Sequence, residues 1–196
     1  NTNTNILETL ILTERKLKFD QHFPTDQLKP YIKYFVVAES ELENEYKVFP
    51  SLGLVVGFQY KGRLATVIDN REIKLTSAGI TGVADGYKVF KNSADIGTLL
   101  VYFTEIGFTH FTSHPANELF NLSLSLDHIF DKNSIAEVEE RLSVANTDKL
   151  RVKIVEQFLV SQLKDIQTDK LILEAVKLIY QTKGAVRIKE LNQKLF

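Results

Sequence analysis

His110, His114 and Glu118 follow one another at intervals of four. On a regular helix that spacing puts two imidazoles and a carboxylate on one face, a facial donor set for a divalent metal. Pro115 interrupts the stretch, and the strand-like segments nearby carry no histidine. The expectation is therefore no metal: His114-Pro115 opens a helical turn, and Glu118 pairs or caps locally. Other chemistry is equally thin. No G-x-S-x-G elbow and no P-loop occurs. Asp127 and His128 are adjacent, so on a regular element they face apart. Gly79, Gly82 and Gly86 do not form the dinucleotide fingerprint and suit tight turns between short strands. Cysteine is absent, which excludes disulfides, thiol nucleophiles and cysteine-held zinc. No catalytic residue and no cofactor is assigned, and the chain is read as a non-enzyme.

Two sets of residues suggest binding instead. Phe58, Tyr60, Tyr87, Phe90 and Tyr102, with Phe103 beside the last, fall on strand-like segments. Such rings line ligand pockets, with the tyrosine hydroxyls as polar handles, or they fill a core. Alternation cannot separate the two, because pocket and core both lie inside. The second set is basic. Up to Leu150 the chain has 15 basic against 20 acidic side chains, and from Arg151 onward 9 against 5. Lys183, Arg187 and Lys189 cluster in that tail and are candidate contacts for nucleic-acid phosphates.

The elements that must position these residues change character along the chain. Residues 1–25 read as irregular, with one strand around Ile6–Leu12. Strands follow at Ile32–Ala38, Leu54–Tyr60, Arg63–Ile68, Glu72–Leu75 and Thr98–Phe103. Lys61-Gly62 reads as the turn of a hairpin and Asp69-Asn70 as a second turn. After Gly107 the period becomes helical. Ile135, Val138 and Leu142 share a face of a helix over 134–145. Thr147 or Asp148 caps a helix reaching Leu163, with Leu150, Ile154, Val155, Phe158 and Leu159 as its apolar stripe. That stripe suits either dimerisation or packing on the chain's own sheet. Thr168 or Asp169 caps a helix over 170–182, with Leu171, Ala175, Leu178 and Ile179 inward. Gly184 sits where a left-handed cap is needed. A last short helix carries Ile188, Leu191 and Leu195 on one side. Strands first and helices last is an α+β order. No apolar run is long enough to span a membrane, so no membrane partner is expected.

The ending, "AVKLIYQTKGAVRIKELNQKLF", resembles the start of the DNA-binding domain of AraC-type bacterial transcription regulators. There a scaffold helix and a turn precede the first helix of a helix-turn-helix, and Ile188, Lys189, Glu190, Leu191 and Leu195 match its pattern. Asn192 stands where the family usually has alanine. The stretch from Gly97 to Phe130 is similar to the sensor-like domain joined to such units. Tyr102, Phe103, Gly107, Phe108, Phe111, Pro115, Glu118, Leu119, Leu126 and Asp127 carry that likeness, with "AGITG" (78–82) and "VEQFLVSQL" (155–163) as further landmarks.

The resemblance implies an N-terminal segment over 1–27 and a β-rich, cupin-like sensor or dimerisation domain over 28–165. The start of the helix-turn-helix domain follows over 168–196, with the recognition helix expected beyond Phe196. It implies a cytoplasmic regulator with a small-molecule effector and a homodimer as candidate partners. DNA is expected as the partner of the full-length protein only. The alternative is a stand-alone cupin-like small-molecule-binding domain or metal-dependent enzyme.

Overall fold

The structure, a computed structural model, describes residues 17–51, 53–166 and 169–195. The strand expected at Ile6–Leu12 and the cap at Thr168 lie outside them. Two compact units divide between Leu163 and Lys164. In the first, β1 (Leu17–His22), β2 (Ile32–Ser40), β4 (Val55–Lys61), β7 (Ala78–Thr81), β9 (Ile96–Phe103) and β10 (Ser123–Ser125) form one antiparallel sheet, in the order β1-β2-β9-β4-β7-β10. A second sheet has the order β3-β8-β5-β6, built from β3 (Asn44–Val48), β5 (Leu64–Ile68), β6 (Arg71–Lys74) and β8 (Lys88–Asn92). Helices α1 (Lys132–Val144) and α2 (Asp148–Gln162) follow. This is the α+β class that the sequence predicts, strands first and helices last.

Alternation explains the core. Phe35 and Val37 of β2, Val56 and Phe58 of β4, Ala78 and Ile80 of β7 and Leu99 and Val101 of β9 share one face by register. All are buried in one cluster with Val138, Leu142, Val155 and Phe158 of the two helices. Phe158 stands edge-on to Phe58 at 6.2 Å and to Phe130 at 5.4 Å. The α2 stripe is thus spent on the chain's own sheet. Leu150, expected in that stripe, lies outside it and is exposed.

The expected hairpin between β4 and β5 does not form. β4 pairs with β7 and β9, whereas β5 pairs with β6 and β8, so Gly62 carries the chain from one sheet to the other. Its φ is +71°, and a Cβ there would meet the Ile96 Cα at 2.8 Å. The Gln59 side chain holds the crossing by accepting from Leu64 N–H at 2.8 Å. Asp69 and Asn70 do turn the chain, both with positive φ, between paired Ile68 and Arg71. Gly79 is no turn residue: it lies inside β7, opposite Gly57. Residues 17–22, read as irregular, are the edge strand β1.

Thr147 caps α2, its hydroxyl accepting from Leu150 N–H at 3.3 Å. Thr147→Ala is expected to lower stability by about 1 kcal/mol in urea denaturation. An unchanged midpoint would show that the cap is not formed.

The second unit holds α3 (Lys170–Gln181), capped by Asp169, and α4 (Ile188–Leu195). Lys183 and Gly184 both have positive φ, and Gly184 N–H donates to Ile179 O at 2.8 Å, the long bond of a left-handed helix end. Neither helix has a buried residue. Leu171 and Ile179, expected inward, are about two-fifths exposed. Two short helices have too little surface to cover each other's stripe.

Candidate functional site

The two faces of the six-stranded sheet differ. On the helix side of β9, Leu99, Val101 and Phe103 are buried; on the other side Thr98, Leu100 and Tyr102 are only partly so. Yet β9 is flanked on both edges by β2 and β4. The side turned toward the second sheet is covered unevenly: Val36 of β2 and Phe90 of the facing sheet are buried, whereas solvent still reaches Thr98, Leu100 and Tyr102, so the sheets enclose a cleft that is only partly dry.

One row crosses that face in direct register. Tyr34 pairs with Tyr102, Tyr102 with Val55, Val55 with Thr81 and Thr81 with Ser123. The rings of Tyr34 and Tyr102 are 4.7 Å apart, and the Thr81 and Ser123 hydroxyls 3.4 Å. The facing sheet presents Tyr46, Phe90 and Lys88, which alternation puts on one side of β3 and β8. The Lys88 ammonium crosses the cleft and donates to Ser123 Oγ at 3.0 Å and to Asn121 O at 3.2 Å. Burial holds it below the ordinary lysine value. Burial likewise pushes up the phenols of Tyr46 and Tyr102, with Tyr34 and Tyr46 adding to the effect on Tyr102, so both stay protonated donors at neutral pH.

No strand carboxylate faces this cleft. Asp20 and Glu39 lie on the helix side of their strands by register with Val37 and Leu99. Glu45 and Glu72 lie on the outer side of the second sheet, where Lys91 pairs with Glu72 and Glu43. Lys88 has no carboxylate partner among the described residues. Lys18 and Lys61, by contrast, are matched. A polar pocket of about 190 Å³ at the far end of the sheet is lined in part by Lys18, Glu39, Lys61 and Asp95, whose charges pair with one another.

The five aromatic candidates do not converge. Tyr102 and Phe90 belong to the cleft. Tyr87 precedes β8, is half exposed and stacks loosely on Phe49 under the Lys47 ammonium, 4.4 Å from its ring. Phe58 and Tyr60 lie on the opposite face. Tyr60 donates to Glu39 Oε1 at 2.7 Å while Arg151 of α2 stacks 4.1 Å above its ring. Burial, then Glu39, raises its phenol far above the usual range. Arg151 also pairs with Asp148 at 3.0 Å, and Asp148 with Lys18 at 2.7 Å. That node pins the first turn of α2 to β1, β2 and β4. Tyr34, Tyr46, Thr81, Lys88 and Ser123 were not singled out from the sequence. The usable signal was strand parity: Lys88 shares its parity with Phe90.

The imidazole–carboxylate trio separates. His114 pairs with Glu118 at 3.6 Å, and Pro115 precedes a 3-10 turn at Ala116–Leu119. His110 is buried against Tyr31, with ring centroids 4.7 Å apart. Among the described residues no group of three or more His, Asp or Glu side chains could hold a metal, and no helix is long and apolar enough to cross a membrane. Lys183, Arg187 and Lys189 are all exposed around the turn between α3 and α4.

Residues 20–125, more than half of the chain, match the family described as "Domain of unknown function (DUF6597)". No curated protein matches in sequence. Similar solved structures include the AraC-like transcriptional activator CuxR, at 16% identity and TM-score 0.43, over 91% of this chain and 69% of that one. ToxT from Vibrio cholerae is similar at 10% identity and TM-score 0.42, over 92% of this chain and 71% of that one. The Schizosaccharomyces pombe Cnp3 cupin domain is similar at 19% identity and TM-score 0.32, over 44% of this chain and 62% of that one.

Proposed function

We propose that this chain, which belongs to the DUF6597 family, is the effector-sensing part of a cytoplasmic bacterial AraC-type transcription regulator, together with the opening helices of its DNA-binding domain. The observation that carries this reading is the second unit. Helix α3, a left-handed turn at Lys183-Gly184 and α4 follow one another with Lys183, Arg187 and Lys189 exposed around the turn. The landmarks from Tyr102 to Asp127 support it. An effector in the inter-sheet cleft would alter how the DNA-binding part is presented. It can do so only through different affinities for two arrangements.

The three cations would meet phosphates, contacts that position without reading sequence. Base reading belongs to a recognition helix, so DNA is the partner of the full-length protein. Fluorescence anisotropy with a labelled duplex tests this. The 196-residue chain is expected to bind weakly, alike for any sequence, and less as salt rises. Replacing Lys183, Arg187 and Lys189 by Gln should flatten the salt slope by about 0.9 per lost phosphate contact. Nanomolar, sequence-selective binding by this chain, or a slope indifferent to the triple substitution, would falsify the reading.

Dimers suit paired half-sites. Since the α2 stripe is already covered, a homodimer would use another surface; sedimentation at high concentration measures it, and a strict monomer removes it. A second reading, a stand-alone small-molecule-binding domain, is favoured by the cleft alone. We assign no catalytic step to either.

A further inference from the structure

We infer that the cleft between the two sheets takes a small organic anion with a ring body, its acid group on the Lys88 ammonium and the Ser123 hydroxyl and its ring beside Tyr34, Tyr46 and Tyr102. The inference rests on reading the cleft as an effector site, but not on the DNA-binding unit.

Three observations combine. First, every hydrogen-bonding group the row offers can donate. The hydroxyls of Tyr34, Tyr46 and Tyr102 make no hydrogen bond to a described protein group. Three such hydroxyls, on side chains that solvent still reaches, are poised for a ligand or for water. Second, the charge is one-sided. A half-buried ammonium ordinarily finds a carboxylate, because desolvation without a counter-charge is costly. Lys88 has instead one hydroxyl and one backbone carbonyl, while all four strand acids point to other faces. A carboxylate or phosphate beside it would supply a charge-assisted bond where the surroundings screen poorly. Third, the cation and the rings are spaced apart. Ser123 lies three strands from Tyr102 across the row, about 14 Å between backbones. The Lys88 ammonium stays at the Ser123 end, and Tyr46, which acts on Tyr102, reaches in from the facing sheet to narrow the gap. A bare inorganic ion would satisfy the lysine and leave the tyrosines without a partner. An acid carried on a ring engages both, with the aromatic faces flanking its apolar body.

The test is calorimetric titration and thermal shift of the intact chain with four probes: phenylacetate, phenyl phosphate, the neutral phenylacetamide and the cationic phenethylamine. Phenylacetate, phenyl phosphate or both should bind and raise the melting temperature, and which does so separates a carboxylate from a phosphate ligand. The neutral and cationic probes should not. Lys88→Gln should weaken anion binding by about 10-fold or more, measured on the folded variant. Tyr102→Phe, which keeps the ring and removes one donor, should weaken it several-fold. Binding of phenylacetamide as tight as phenylacetate keeps the cleft as an effector site but overturns the anion. Anion binding indifferent to Lys88→Gln overturns the site. No response to any probe at about 10 mM overturns both the anion and the effector reading of the cleft, and leaves the DNA titration to stand or fall by itself.

Discussion

Phe58→Ala is expected to destabilise the first unit by about 3–5 kcal/mol. The ring is 1% exposed, centred on the helix side of β4 and edge-on to Phe158. Phe158 in turn meets Phe130, so the truncation opens a hole where strand, helix and the turn before α1 converge. Interiors pack too densely to refill such a space by small shifts. The denaturation midpoint in urea should fall, with the slope m unchanged, because the fold is weakened rather than altered. Anion binding by the fraction still folded should be unaffected, since Phe58 faces away from the cleft. The opposite outcome, near-native stability with binding lost, would restore Phe58 to a ligand pocket and overturn the assignment of faces.

That prediction marks where the sequence stopped being legible. Strand and helix identities follow from period and caps: Ile188–Leu195, the Asp69-Asn70 turn and the Thr147 cap stand as their residues imply. Pairing did not follow. Nothing local at Lys61-Gly62 distinguishes a hairpin from a crossing between sheets. The difference lies in Ile96 and Ser93, more than 30 residues away, which crowd Gly62. Without pairing, the side of each aromatic is undefined, so Phe58 and Tyr102, both on strand-like runs, could not be assigned to opposite faces. Lys88 was invisible for a related reason. A lysine at the first position of a strand reads as solvated surface until its carboxylates are known to lie elsewhere. The strands β3, β7 and β10 were missed for local reasons: β3 is largely polar, Gly79 inside β7 reads as a turn, and β10 spans only three residues.

Gly82→Ala is the second large effect, and it ties stability to the site. A Cβ at Gly82 would lie 1.7 Å from Leu119 O and 2.6 Å from Leu119 C, backbone atoms that cannot rotate away. The segment it would strike is clamped on both sides: Gly82 N–H donates to Leu122 O at 3.0 Å, and Asn121 N–H to Val83 O at 2.9 Å. Leu119 itself is 1% exposed and anchors the segment in the core. Overpacking of this kind costs about 1–3 kcal/mol, more where the backbone must move. The displaced stretch carries Asn121 O and leads into Ser123, the two acceptors of the Lys88 ammonium. Anion affinity should therefore fall by about 10-fold or more, beyond what lost stability explains, because a charge-assisted bond weakens steeply with misplacement. Gly86→Ala supplies the control: nothing lies within 4 Å of a Cβ there, so neither stability nor binding should change. If Gly82→Ala behaves like Gly86→Ala in both measurements, the 119–123 segment is not held against β7. The geometry that sets Ser123 opposite Lys88 would then lose its support.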